Sequence, residues 1–222
     1  TALPFTALAV LLLHPWPWAV VLAVWWFKPL YEPLLLFWLS RRLFGEELTW
    51  REAAGQWRAV LPPRLLANLT LRRLSSNRSF FMPVSHLEGL GGDARSKRLR
   101  VLSINQSTGT WLTVGGIHFE GVLQFSFLLL LLYLIPEQLR PDDWWQMLTD
   151  EDPLFTWLSN AFSLLAMSVI APFYVAGGFA LYLTRRSALE AWDLELAFRR
   201  MAPRFIPARA AVVLLLGGAL LL

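Results

Sequence analysis

The chain has no cysteine, which excludes disulfide bonds, thiolate metal sites and cysteine nucleophiles. Charged residues are scarce as well. They make up 16% of the 222 residues, whereas a soluble domain carries about a quarter. The HExxH, Walker and GxSxG motifs are absent, and the three histidines are far apart in the sequence. We therefore expect a protein that is not an enzyme, with no catalytic residues, no metal site and no cofactor.

Long apolar runs are the main feature that the sequence does have. Residues 18–39, 111–135 and 154–183 form runs of 22, 25 and 30 residues, and about 20 residues are enough for a helix to cross a bilayer. In hydrocarbon the backbone must satisfy its own hydrogen bonds, so runs of this kind are helical. The fold class that follows is an all-α, polytopic transmembrane helix bundle.

Two shorter apolar stretches lie at the ends of the chain, at residues 1–13 and 210–222. With them we predict about five spans. The first two lie within residues 1–39, the third and fourth within residues 111–183, and the fifth starts in residues 210–222. Because both end stretches are shorter than a full span, we expect a piece of a longer protein that continues beyond the fifth helix.

The segments between the spans differ in charge. Residues 40–110 hold twelve Lys and Arg against five Asp and Glu, residues 184–209 hold six against three, and residues 136–153 hold one against six. Lys and Arg accumulate on the cytoplasmic side of membrane proteins. We therefore place residues 40–110 and 184–209 in the cytoplasm and residues 136–153 in an acidic external loop. The basic segments favour contact with anionic lipids of the inner leaflet over contact with nucleic acid.

Residues 40–110 contain two segments with an amphipathic helical pattern. The first, residues 49–61, begins with a capping box in which Thr49 is the N-cap and Glu52 follows three residues later. The second covers residues 64–74. We predict that both are interfacial helices along the inner headgroups, with packing on the protein's own cytoplasmic face as the alternative.

Three further segments carry a structural prediction. Residues 77–90 contain a proline and several polar residues, which predicts a loop, whereas residues 94–102 predict a short basic helix. Residues 184–209 are interpreted as a cytoplasmic helical connector, with charges at i,i+3 and i,i+4 spacing. The residues that define this connector are Arg185, Arg186, Glu190, Trp192, Asp193 and Glu195.

Four ionisable residues fall inside the predicted spans, namely Lys28 and Glu32 in the second and His118 and Glu120 in the third. At a rise of 1.5 Å per residue, Lys28 lies about 15 Å below the outer end of its span and Glu120 about 14 Å above the inner end of its own. In a hydrocarbon core about 30 Å thick both lie near the midplane. We predict that Lys28 contacts Glu120 or Glu32, with His118 close to the same contact.

This intramembrane polar cluster has two interpretations. It either pins the second helix to the third as a satisfied structural pair, or it forms part of a path for protons, ions or lipid headgroups. The first interpretation fits a membrane scaffold or a subunit of a membrane complex. The second fits a transporter or a lipid-handling protein. We favour the scaffold, because the sequence shows no internal repeat of interrupted helices.

Two segments carry a family resemblance, NRSFFMPVSHLEGL at residues 77–90 and LYLTRRSALEAWDLELAFRR at residues 181–200. In them the chain resembles a group of uncharacterised proteobacterial multi-pass inner-membrane proteins. These proteins have a C-terminal domain of unknown function and are encoded near MoxR-type AAA ATPases and von Willebrand A-domain proteins. The resemblance implies a bacterial inner-membrane location and protein partners that include an AAA ATPase system. It supplies no catalytic residues.

Overall fold

The computed structural model describes residues 3–61, 65–70, 72–104, 107–136 and 153–190. These residues form helices and turns with no β-strand among them, which confirms the all-α prediction. The helices of the described part are α1 (Leu3–Leu13), α2 (Pro17–Trp26), α3 (Lys28–Leu43), α4 (Trp50–Gly55), α5 (Trp57–Val60), α6 (Leu65–Leu69), α7 (Arg78–His86), α8 (Gly92–Ser103), α9 (Thr108–Leu134) and α10 (Pro153–Glu190).

The chain divides into two units, residues 1–181 and residues 182–222. All the cavities and buried charges considered below belong to the first unit. Of the second unit the structure describes residues 182–190, which are the last turns of α10.

The predicted connector starts inside α10, because the helix continues without a break beyond residue 184. In this stretch Arg186 Nε donates a hydrogen bond to the Glu190 carboxylate at 2.9 Å, which is the predicted i,i+4 pair. Arg185 belongs to the same helical turn. The connector residues that lie outside the described part are Trp192, Asp193 and Glu195.

Two helices, α9 with 27 residues and α10 with 38, are long and apolar enough to cross a membrane. Helices α2 and α3 pass the same test only as a pair, and they are bent by 45° where they join. Helix α1 is apolar, but its 11 residues rise only about 16 Å. The described residues therefore hold two or three helices that are able to span a membrane, as in a membrane-associated protein. The finer count of five is not confirmed, and residues 210–222 lie outside the described part.

Proline explains the bend between α2 and α3. Helix α2 ends at Trp26 and α3 begins at Lys28, with Phe27 between them. Pro29 has no N–H that could bind the carbonyl of Trp25, four residues earlier. The helix therefore breaks within an apolar segment, and the carbonyl groups at the end of α2 need other partners.

The capping box predicted at Thr49 is present. The backbone N–H of Glu52 donates to the Thr49 hydroxyl at 3.3 Å, and the N–H of Thr49 donates to the Glu52 carboxylate at 2.8 Å. The hydrogen bonds from the Thr49 backbone and side chain lower the pKa of Glu52. The helix that starts here is shorter than predicted, since α4 ends at Gly55 and α5 follows at Trp57.

The amphipathic helix predicted at residues 64–74 is wrong in extent, because only Leu65–Leu69 form a helix, α6. Arg73, which the prediction placed on the polar face, is buried with 7% of its surface exposed. Its guanidinium binds the end of α2, and this contact is incompatible with one continuous surface helix.

The loop predicted at residues 77–90 is also wrong, because residues 78–86 form α7 with Pro83 inside the helix. Phe80 and Val84 are fully buried, so tertiary packing overrides the local preference for a loop. The basic helix predicted at residues 94–102 is confirmed as α8.

Glycine residues allow α7 to lie directly against α9 and α10. A Cβ atom added to Gly178 would lie 2.5 Å from Ser79 Cβ, and one added to Gly109 would lie 2.5 Å from the Asn77 side-chain oxygen. No side chain fits at such distances. The sequence motif Gly177-Gly178 therefore marks a close helix approach, as is common in membrane helices.

A single methyl group at Gly178 tests this approach. We expect Gly178→Ala to lower the free energy of unfolding by about 1–3 kcal/mol, since the backbone of Ser79 cannot yield freely. Gly121→Ala in α9 is the matched control, because nothing lies within 4 Å of the added Cβ. The control should gain up to about 1 kcal/mol from helix propensity. Thermal unfolding of both variants in detergent is the measurement, and equal melting temperatures would contradict the close approach.

Candidate functional site

The predicted contact between Lys28 and Glu120 is present. Lys28 is the first residue of α3 and Glu120 lies in the middle of α9, and the Lys28 ammonium donates a hydrogen bond to the Glu120 carboxylate. The two side chains are 6% and 15% exposed. The ion pair therefore joins two different apolar helices at a site with little access to solvent.

Glu32 lies one turn further along α3 and has a different partner. Arg78 Nη2 of α7 lies 2.8 Å from Glu32 Oε2 and donates a hydrogen bond to Oε1 at 3.0 Å. Burial opposes the charge of Arg78, but the Glu32 carboxylate outweighs it and the pKa of Arg78 is raised. Arg78 was missed by sequence reasoning because it falls in the segment predicted as a loop. The signal for it was Glu32 itself, a buried carboxylate that needs a cation.

Arg73 binds the end of α2 at the helix break. Its Nη2 donates to the Trp25 carbonyl at 2.7 Å and its Nε to the Trp26 carbonyl at 3.2 Å, while the guanidinium lies 3.9 Å from the centre of the Trp25 ring. A cation at a helix C-terminus also interacts favourably with the helix dipole. Burial and the nearby charge of Arg78 lower the pKa of Arg73 to about 10, so it stays charged at neutral pH.

His118 does not belong to this cluster, and the prediction that placed it there is wrong. It is exposed, and its Nδ1 lies 2.7 Å from the carbonyl oxygen of Val114 in its own helix. The reason is the helix period. Residues two apart point about 200° apart around an α-helix, so His118 and Glu120 face different sides of α9.

Two cavities share Arg78 as a lining residue. The lysine cavity, about 280 Å³, contains Lys28, Glu120, Arg73 and Arg78 in its wall. The arginine cavity has a volume of about 220 Å³, and its polar lining residues are Glu32, Asn68, Arg72, Ser75, Arg78, Ser85, His86 and Arg95. One water needs only about 10–15 Å³, so each cavity has room for water or a small polar group.

Hydrogen bonds and burial shape the arginine cavity. Arg95 Nε donates to the Ser85 hydroxyl at 2.7 Å, and Arg72 Nη1 donates to the Asn68 side-chain oxygen at 3.2 Å. Burial and the charge of Arg72 lower the pKa of Arg95 to about 10. Burial lowers the pKa of His86 to about 4, so this histidine is neutral at pH 7.

These features define an all-α, membrane-associated protein with a buried charge network between its helices. In the described part of the chain, no group of three or more His, Asp or Glu side chains could hold a metal ion. Comparison with protein-family models, with curated proteins and with solved structures finds no match to this chain. The family resemblance carried by residues 77–90 and 181–200 therefore stays a prediction.

A double-mutant cycle tests the energetic coupling between Lys28 and Glu120. We expect Lys28→Met to lower the free energy of unfolding by about 3–5 kcal/mol, because the Glu120 charge is left buried and unpaired. Lys28→Met combined with Glu120→Gln should cost less than Lys28→Met alone, since no charge is stranded. Thermal unfolding in detergent provides the measurement.

The control for this cycle is the ion pair between Arg41 and Glu46, whose side chains are about half exposed. Arg41→Met and Glu46→Gln should show a coupling of about 1 kcal/mol or less. Additive losses at Lys28 and Glu120, of the kind expected for this exposed pair, would show that the buried pair is not coupled.

Proposed function

We propose that this chain is a non-enzymatic integral membrane protein that acts as a scaffold or a subunit of a membrane complex. The observation that carries the proposal is the bare surface of α9. None of its most apolar 18-residue stretch is buried within the protein. Large apolar side chains exposed along this helix are Ile117, Phe119, Val122, Phe125, Leu129, Leu130, Tyr133 and Leu134. A continuous apolar surface of this length requires lipid or another apolar helix to cover it.

The buried charges support the scaffold role. Lys28 bound to Glu120 connects α3 to α9, and Arg78 bound to Glu32 connects α3 to α7. In each pair one cation faces one carboxylate, so no substrate is needed to neutralise the charge. Pairs of this kind hold helices in a fixed arrangement, which a protein that presents a surface to partners requires.

The proposal includes the finer features predicted from the sequence. It places five spans in a bacterial inner membrane, with residues 40–110 and 184–209 in the cytoplasm, residues 136–153 in the periplasm, and interfacial amphipathic helices on anionic lipids. By the family resemblance, the partners include an AAA ATPase system. Charge placement supports the sidedness, and the exposed face of α9 supports the presence of a partner helix.

A second candidate is a transporter or a lipid-handling protein. It is favoured by the lysine cavity, because the Lys28–Glu120 pair lines an open space next to the break between α2 and α3. Transporters build binding sites at interrupted helices, where charged groups and free backbone groups meet. In that case the pair would exchange partners with a substrate instead of only holding two helices together.

Photo-crosslinking within native membranes tests the subunit proposal. A photoreactive phenylalanine analogue at Phe125, which is 60% exposed, should form a crosslink to a second protein chain. The matched control is the same analogue at Phe127, whose ring lies 5.8 Å from that of Phe162. The analogue at Phe127 should form a crosslink to a residue of the same chain. Lipid adducts alone at Phe125 would contradict the subunit proposal and favour the second candidate.

A further inference from the structure

The arginine cavity carries an excess of positive charge. Arg72, Arg78 and Arg95 line it, and Glu32 is its one carboxylate among the described lining residues. His86 adds no charge at neutral pH, because burial holds its pKa at about 4. Glu32 is paired with Arg78, so the charge of Arg95 has no carboxylate of its own in the cavity wall. Cations held together in a partly buried space favour a bound anion.

Donor groups in this cavity remain available to such an anion. Arg78 Nη1 is buried without a hydrogen-bond partner, although Nη2 of the same side chain binds Glu32. Arg95 uses its Nε for Ser85, and in the described part of the chain its Nη groups bind no protein acceptor. A buried donor without an acceptor is costly. Guanidinium groups match the oxygens of a phosphate with two parallel hydrogen bonds.

The cavity also has an apolar lining. Pro29 and Pro33 of the bent span α3 line it, together with Phe81, Met82 and Leu99 of α7 and α8. The cavity therefore lies where the apolar span that contains α3 meets the basic segment with α7 and α8. Free inorganic phosphate has no group that would contact these apolar side chains. The glycerol and first acyl carbons of a phospholipid do.

We propose that the arginine cavity binds the phosphate group of an anionic phospholipid, with Arg78 and Arg95 as the principal donors. The site goes beyond the scaffold role and rests only on the membrane location included in it. It assigns a specific lipid position to Arg95 in α8, whereas general attraction to an anionic membrane would involve every exposed basic residue alike.

Thermal unfolding of the purified full chain in neutral detergent, with added short-chain lipid, tests the site. Dioctanoyl phosphatidylglycerol should raise the melting temperature of the wild type more than dioctanoyl phosphatidylcholine does. Arg95→Gln should weaken the apparent affinity for phosphatidylglycerol by about tenfold or more, because charge-assisted hydrogen bonds are lost. Arg95→Lys keeps the charge but loses the planar donor pair. Its affinity for phosphatidylglycerol should lie between that of the wild type and that of Arg95→Gln.

Arg100→Gln is the matched control, since it removes an exposed arginine from the same helix, α8. It should leave the affinity nearly unchanged. Equal losses in Arg95→Gln and Arg100→Gln would overturn the proposal, because they would show attraction to the basic surface alone. Inorganic phosphate that binds as tightly as phosphatidylglycerol, with the same loss in Arg95→Gln, would also overturn it in favour of a soluble ligand. Extraction of the wild type from membranes by alkaline carbonate would instead contradict the membrane location itself.

Discussion

The break between α2 and α3 is the constraint on which the arrangement of the other helices depends. Pro29 cannot donate to the carbonyl of Trp25, and Leu30 donates to Phe27 instead of Trp26, so both carbonyls need donors from elsewhere. Arg73 supplies them from 47 and 48 residues further along the chain. The ammonium of Lys28, beside the same break, requires a carboxylate, and Glu120 supplies it from α9. One local defect thus brings together two distant parts of the sequence.

The same requirement explains why the basic segment folds against the apolar helices instead of remaining in solvent. Arg73 and Arg78 give up the solvation that their charges would have in water, while the broken backbone gains two donors and the Glu32 carboxylate gains a cation. Ser79, the residue after Arg78, lies in close contact with Gly178, so α7 also packs against α10. Arg78 itself lines both cavities.

The parts of this arrangement that follow from fixed local geometry could be predicted from the sequence. The Thr49 capping box depends on residues three apart, and the Lys28–Glu120 contact follows from the constant rise of a helix. The depth of a residue in the bilayer does not define which side of the helix it faces. The prediction that His118 lies beside the Lys28–Glu120 contact is wrong for this reason. Helix α7 could not be predicted, since Pro83 favours a loop locally and the packing that overrides it comes from distant residues. Apolar composition likewise identified α1, which is shorter than a full span, as its sequence already indicates.

The central claim is that the segment around Arg78 is buried against the membrane helices, and thiol labelling tests it most directly. The chain has no cysteine, so single cysteines can replace Ser79, which is 2% exposed, and the exposed Ser76 three residues earlier. We predict slow labelling of Ser79→Cys, fast labelling of Ser76→Cys, and faster labelling of Ser79→Cys once Arg78→Met is added. Equal labelling rates at the two positions without the Arg78 change would contradict the account.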